Sequence, residues 1–142
     1  MKPEYRLPFP IGIEKRLVDT RDHPNSQKPE SRYSVHFILE KGTPILAARS
    51  GTIIEVITDP LEKIVDDEIQ AHTTNSITIN HGDKTYTQYI HVSPSVQRGQ
   101  KVESGDFLGK LHGHLEKYGS HLHFNAYKIT KGKALSIPIR FT

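Results

Sequence analysis

Cysteine is absent from the 142-residue chain, which excludes disulfides and thiolate zinc sites together. Any bound metal must be held by His, Asp or Glu. Tryptophan is absent too and Met1 is the single methionine, so six Tyr and five Phe are the large side chains left to anchor a core. No run approaches the ~20 apolar residues of a transmembrane helix. The start, Met1-Lys2-Pro3-Glu4-Tyr5-Arg6-Leu7-Pro8, has no apolar stretch of the kind a secretory signal carries. The expected location is the cell envelope or beyond if a leader was removed, and the cytoplasm otherwise. Basic residues are scattered, and a net charge of +3 gives no footprint for nucleic acid. A monomer or weak oligomer is expected.

What is present is one domain's worth of strand-forming sequence. Apolar residues make up 35% and charged residues 25%, a polar balance that still permits one core. Residues 1–32 hold five prolines and read as an extended N-terminal segment followed by the turn-rich loop Asp22 to Ser31. From there strands follow one another: Tyr33 to Leu39, Pro44 to Ala48, Thr52 to Ile57, Ser76 to His81, and Thr85 to His91 across a turn at Gly82-Asp83. The stretch 59–73 breaks the rhythm and reads as an insertion, either a short helical stripe of Leu61, Ile64, Val65 and Ile69 or a solvated acidic loop. Glycine corners at Gly99, Gly105 and Gly109 precede a strand from His121 to Tyr127, and Ile137 to Phe141 is a candidate last strand. Many short strands with glycine corners predict an all-β antiparallel sandwich or barrel-like domain spanning 1–142.

Nine histidines are the chemistry this chain offers. In His121-Leu122-His123-Phe124-Asn125, residues two apart share a face of a strand. His121 and His123 then project together while Leu122 and Phe124 enter a core. Two parallel imidazoles suit a metal ligand beside an acid/base group, and the plain alternative is an edge strand with two solvated histidines. His72, His81, His112 and His114 read as solvent-exposed.

The order of motifs resembles the lysostaphin/LytM-type zinc metallopeptidases, endopeptidases of bacterial cell-wall peptides. The resemblance runs over about residues 5–128: Gly42-Thr43-Pro44-Ile45-Leu46-Ala47-Ala48, Gly51-Thr52-Ile53, Tyr89-Ile90-His91, the glycine corners and His121-Leu122-His123-Phe124. It implies that His123 is a zinc ligand and that His121 and His91 are the catalytic histidines. Arg32-Tyr33-Ser34-Val35-His36-Phe37 falls where the family has an Asp ligand, so His36 takes that position. His23 in the polar loop matches family members whose first ligand comes from further upstream. The implied site is His23, His36 and His123 around Zn2+, with peptidoglycan or another peptide as substrate.

The His36 departure keeps two readings open. Three neutral imidazoles can hold catalytic zinc with a fourth position free, which gives a hydrolase with a His-rich site. The other reading is a catalytically degenerate module that binds cell wall or a protein partner. A biotin- or lipoate-type carrier domain shares the glycine corners but needs a displayed lysine flanked by methionines, which this chain lacks.

Overall fold

The computed structural model describes residues 4–12, 16–18, 32–58, 63–65, 68–70, 75–112 and 121–141, the strands at 16–18, 63–65 and 68–70 by their backbone alone. Among the described residues there are thirteen strands and no helix. In the first half they are β1 (Arg16–Val18), β2 (Val35–Ile38), β3 (Pro44–Leu46), β4 (Gly51–Ile57), β5 (Lys63–Val65) and β6 (Glu68–Gln70). The second half adds β7 (Ser76–Asn80), β8 (Thr85–Ile90), β9 (Val92–Pro94), β10 (Lys101–Val102), β11 (Phe107–Leu111), β12 (His121–Thr130) and β13 (Lys133–Ser136). An eight-stranded sheet has the order β1-β2-β12-β8-β7-β4-β10, with β13 paired to β12. A three-stranded sheet, β3-β11-β9, accompanies it, and β5-β6 form a separate hairpin. Every strand pairing is antiparallel, as expected for an all-β domain.

Alternation places the core. Phe37, Leu122, Phe124, Tyr89, Ile77, Ile79 and Ile53 of the large sheet are fully or almost fully buried, as are Ile45, Leu108, Leu111 and Val92 of the small one. All belong to one apolar cluster. Aromatic edges fix its centre: Tyr89 meets Phe124 at 5.3 Å between centroids, and Phe37 meets Phe9 at 5.1 Å. Edge-to-face contacts of this kind add to the burial of the rings themselves.

The N-terminal segment is bound to this core. Tyr5 and Phe9 are buried, and Tyr5 bridges to Phe141. Arg49 lies over the Tyr5 ring at 5.6 Å and ion-pairs with Asp83 at 2.7 Å. It also donates to Thr85 Oγ1 at 3.0 Å. The β7–β8 turn behaves as its residues predict: Asn80 Oδ1 accepts from the Gly82 amide and Asp83 Oδ1 from the Thr85 amide, the local bonding that favours Asn and Asp in turns.

Some boundaries differ from the sequence expectation. Residues 16–18 form a strand inside the segment read as merely extended, because β2 offers an edge and β1 pairs along it from Arg16 to Val18. The 59–73 stretch contains a hairpin, not a helical stripe, with Ile64 opposite Ile69; its remaining residues lie outside those described. The last strand is β13, one segment earlier than Ile137 to Phe141. Those residues pack Ile137, Ile139 and Phe141 on the core without joining the sheet as a strand.

Candidate active site

Both faces of β12 are buried from His121 to Ala126. One face enters the core; the other carries His121, His123 and Asn125. Buried polar groups of this kind must be bonded or matched to a ligand. Register does the assembly: β2 pairs with β12 so that His36 stands directly opposite His123. The two rings meet with His36 Nε2 and His123 Nδ1 2.5 Å apart, closer than an ordinary nitrogen-donor hydrogen bond. Which ring donates and which accepts depends on their tautomers. The two ring nitrogens face each other across the strand pair.

Two further rings adjoin this pair. His121 lies 5.2 Å from His36 between ring centroids, and His91 lies 4.7 Å from His121 at 70°. His36 is 7% exposed, His121 6% and His123 9%, which excludes the reading of an edge strand with solvated histidines. His91 reaches the cluster through an unusual backbone. It follows β8 with φ of +75°, in the left-handed region that costs a non-glycine residue energy. Its amide donates to the Asn75 carbonyl at 2.7 Å, and its own carbonyl accepts from the His112 amide at 2.8 Å. The strained residue is clamped on both sides.

Of the five residues expected at the site, the structure brings together His36, His91, His121 and His123. His23 lies outside the described residues, as do His72 and His114. Among the described residues no set of three ligating side chains surrounds one point; the His36–His123 pair is the part of the implied ligand set they contain. The donor chemistry fits zinc, because imidazole nitrogens are among its regular ligands.

Two histidines expected to be solvated are not. His81 is half-buried: Nδ1 meets the Ser50 carbonyl at 2.7 Å and Nε2 meets Thr87 Oγ1 at 3.0 Å. Burial, first, and the Arg49 charge lower its pKa from the usual value, opposed by the Ser50 bond and Asp83. His112 is half-buried, with Nδ1 3.3 Å from Ser93 Oγ. Asn125, which sequence reasoning did not single out, shares the histidine face. Its Oδ1 accepts from Ser136 Oγ at 2.9 Å, and Ser136 Oγ accepts from the Tyr33 amide at 2.9 Å. The alternation His121, His123, Asn125 was the available signal.

The model of Peptidase family M23 matches residues 30–136. The chain therefore belongs to Peptidase family M23, a family of metallopeptidases. A peptidoglycan DD-endopeptidase of Vibrio cholerae, ShyA, is 26% identical over 145 residues, covering 92% of this chain and 31% of that protein. The chain thus spans less than a third of that relative's length. A crystal structure of a zinc-containing peptidase from Vibrio cholerae superposes with a TM-score of 0.64 at 19% identity, covering 99% of this chain and 41% of that one. Lysostaphin from Staphylococcus simulans superposes with a TM-score of 0.58 at 23% identity, covering 96% of this chain and 47% of that one. These two establish the fold.

Proposed function

We propose that this domain is a zinc-dependent endopeptidase acting on peptide bonds of peptidoglycan cross-links, through a His-rich variant of the family site. The observation that carries the reading is the close approach of His36 Nε2 and His123 Nδ1, with His121 and His91 against them. The naming of ShyA as a peptidoglycan DD-endopeptidase supports the substrate class.

In this reading His36 and His123 hold the ion and His23 completes the set. Zinc, when bound, supplies Lewis acidity towards the scissile carbonyl and towards water near neutral pH. The remaining roles belong to the chain. His121, beside the ligand pair, takes the proton from the attacking water and returns it to the leaving amine. His91 donates a hydrogen bond to the oxygen on which negative charge develops, and its clamped backbone holds that donor in place before reaction. Burial of His36, His121 and His123 keeps bulk water from screening these charges.

The test is zinc stoichiometry by elemental analysis, followed by release of new amino groups from isolated peptidoglycan. About one zinc per chain is expected in the parent, with loss in His36→Ala and in His123→Ala. His91→Ala should retain zinc and lose turnover. No zinc in the parent after reconstitution would overturn the hydrolase and leave a metal-free binding module. Full turnover in His91→Ala would remove that residue from the chemistry.

A further inference from the structure

The sheet face that carries the histidines continues beyond them. Directly paired residues, and residues two apart on a strand, share a face. Next to the His36–His123 row, the pairings Asn125–Gln88, Gln88–Thr78 and Thr78–Glu55 make a polar row. One row further on, Tyr127 pairs with Tyr86. Their rings stack at 5.2 Å with 12° between planes, and both side chains are half-buried. Tyr127 lies four positions along β12 from His123, roughly 13 Å at the rise of a strand.

Three observations give this end of the face a chemistry. A stacked tyrosine pair presents π-surface that attracts cations. Glu55 is exposed, forms no ion pair among the described residues, and lies near enough for its charge to act on Tyr127. Lys101, across from Thr52 on the neighbouring β10, does not neutralise it. Between Glu55 and Gln88 the Thr78 hydroxyl is buried without a hydrogen-bond partner, an orphan polar group in the same row.

We propose that Tyr86, Tyr127 and Glu55 form a subsite for a primary ammonium group carried by a peptide that lies across this face. The aromatic pair and the carboxylate each attract such a group weakly when exposed; together they select it over a neutral side chain of the same length. Continuity with the histidine cluster makes an extended peptide the occupant, since its backbone advances at the same rate as the strand beneath it. The inference rests on the reading of this face as a peptide-binding one. Its test therefore uses binding, not turnover.

The probes are fluorescein-labelled five-residue alanine peptides with lysine at one end or the other, and the same peptides with Nε-acetyl-lysine. Fluorescence anisotropy at low salt should show at least one lysyl peptide binding about fivefold or more tightly than its acetylated counterpart. That ratio should fall towards one in Glu55→Gln, whose exposed side chain leaves the melting midpoint unchanged, and in Tyr127→Leu. Equal binding of both forms by the parent, binding of neither, or an undiminished ratio in Glu55→Gln would each overturn the subsite. Discrimination without any release of amino groups from peptidoglycan would overturn the hydrolase reading alone. Hydrolysis without discrimination would overturn the subsite alone.

Discussion

His91 shows how much of the site is decided by a single backbone angle. With φ at +75° it sits where Asn and Gly are comfortable and β-branched residues are not. His91→Asn should hold melting close to the parent, whereas His91→Val should cost about 1–3 kcal/mol in chemical denaturation; equal stability of the two would show that the clamp from Asn75 and His112 carries no strain. His81 offers a second residue-scale test. Its folded pKa lies below the ordinary 6.5, so the unfolded chain takes up the proton first as pH falls. The stability linked to His81 is therefore fully present above about pH 6.5 and lost as pH drops through the folded pKa. His81→Gln, which keeps a donor and an acceptor, should reduce the loss of stability between about pH 7 and pH 5 relative to the parent; an identical pH slope would remove His81 from the linkage. Asp83 works at a lower pH: burial opposes its ionisation, but hydrogen bonds from Arg49 and Thr85 and the Arg49 charge outweigh that and push it down to about 2. The contribution of the Arg49–Asp83 pair is present above the usual carboxylate range and lost progressively as pH falls from there through about 2.

At the scale of elements, close backbone approach is what ties the small sheet together. Gly109 pairs with Ile45 on β3 and Pro94 on β9, beside an irregularity in the register. A Cβ there would overlap the Ser93 carbonyl oxygen, and backbone on both sides leaves it no room to move. Gly109→Ala should therefore cost about 1–3 kcal/mol, read as a lower denaturation midpoint; an unchanged midpoint would mean that β9 can shift away from β11. This glycine was visible in the sequence as a corner, though not the strand pressed against it. The same limit explains which elements were legible. β4, β7 and β8 are strands of five to seven residues rich in β-branched or aromatic side chains, and their local preference agrees with their structure. β1 and the hairpin β5-β6 are three-residue strands, too short for periodicity to register; β1 is a strand because β2 offers it an edge. The exposed end of β12, Lys128 to Thr130, is strand because β13 pairs with it.

Across the whole molecule, the site is a product of strand order. His121 and His123 were readable as one face from their spacing, but His36 is 87 residues away from its partner, and only the antiparallel register of β2 and β12 places the two rings together. No local pattern encodes that register. Family resemblance supplied His36 and His91 as candidates, and the sheet brought them into one cluster. His81 was misread because its partners, Ser50 and Thr87, come from separate parts of the fold. The same topology would make the proposed metal binding a global event. β2 and β12 lie inside the eight-stranded sheet, and the rings of His36 and His123 come together only when those strands are paired. An ion held between them favours the folded chain over the unfolded one by mass action. Zinc at a hundredfold excess over its dissociation constant should stabilise the parent by about 2.7 kcal/mol, seen as a rise in melting midpoint that a chelator reverses. His123→Ala should show no rise, because one of the two facing nitrogens is gone. An equal rise in His123→Ala would place the ion elsewhere in the molecule and separate the histidine cluster from the metal chemistry of the family.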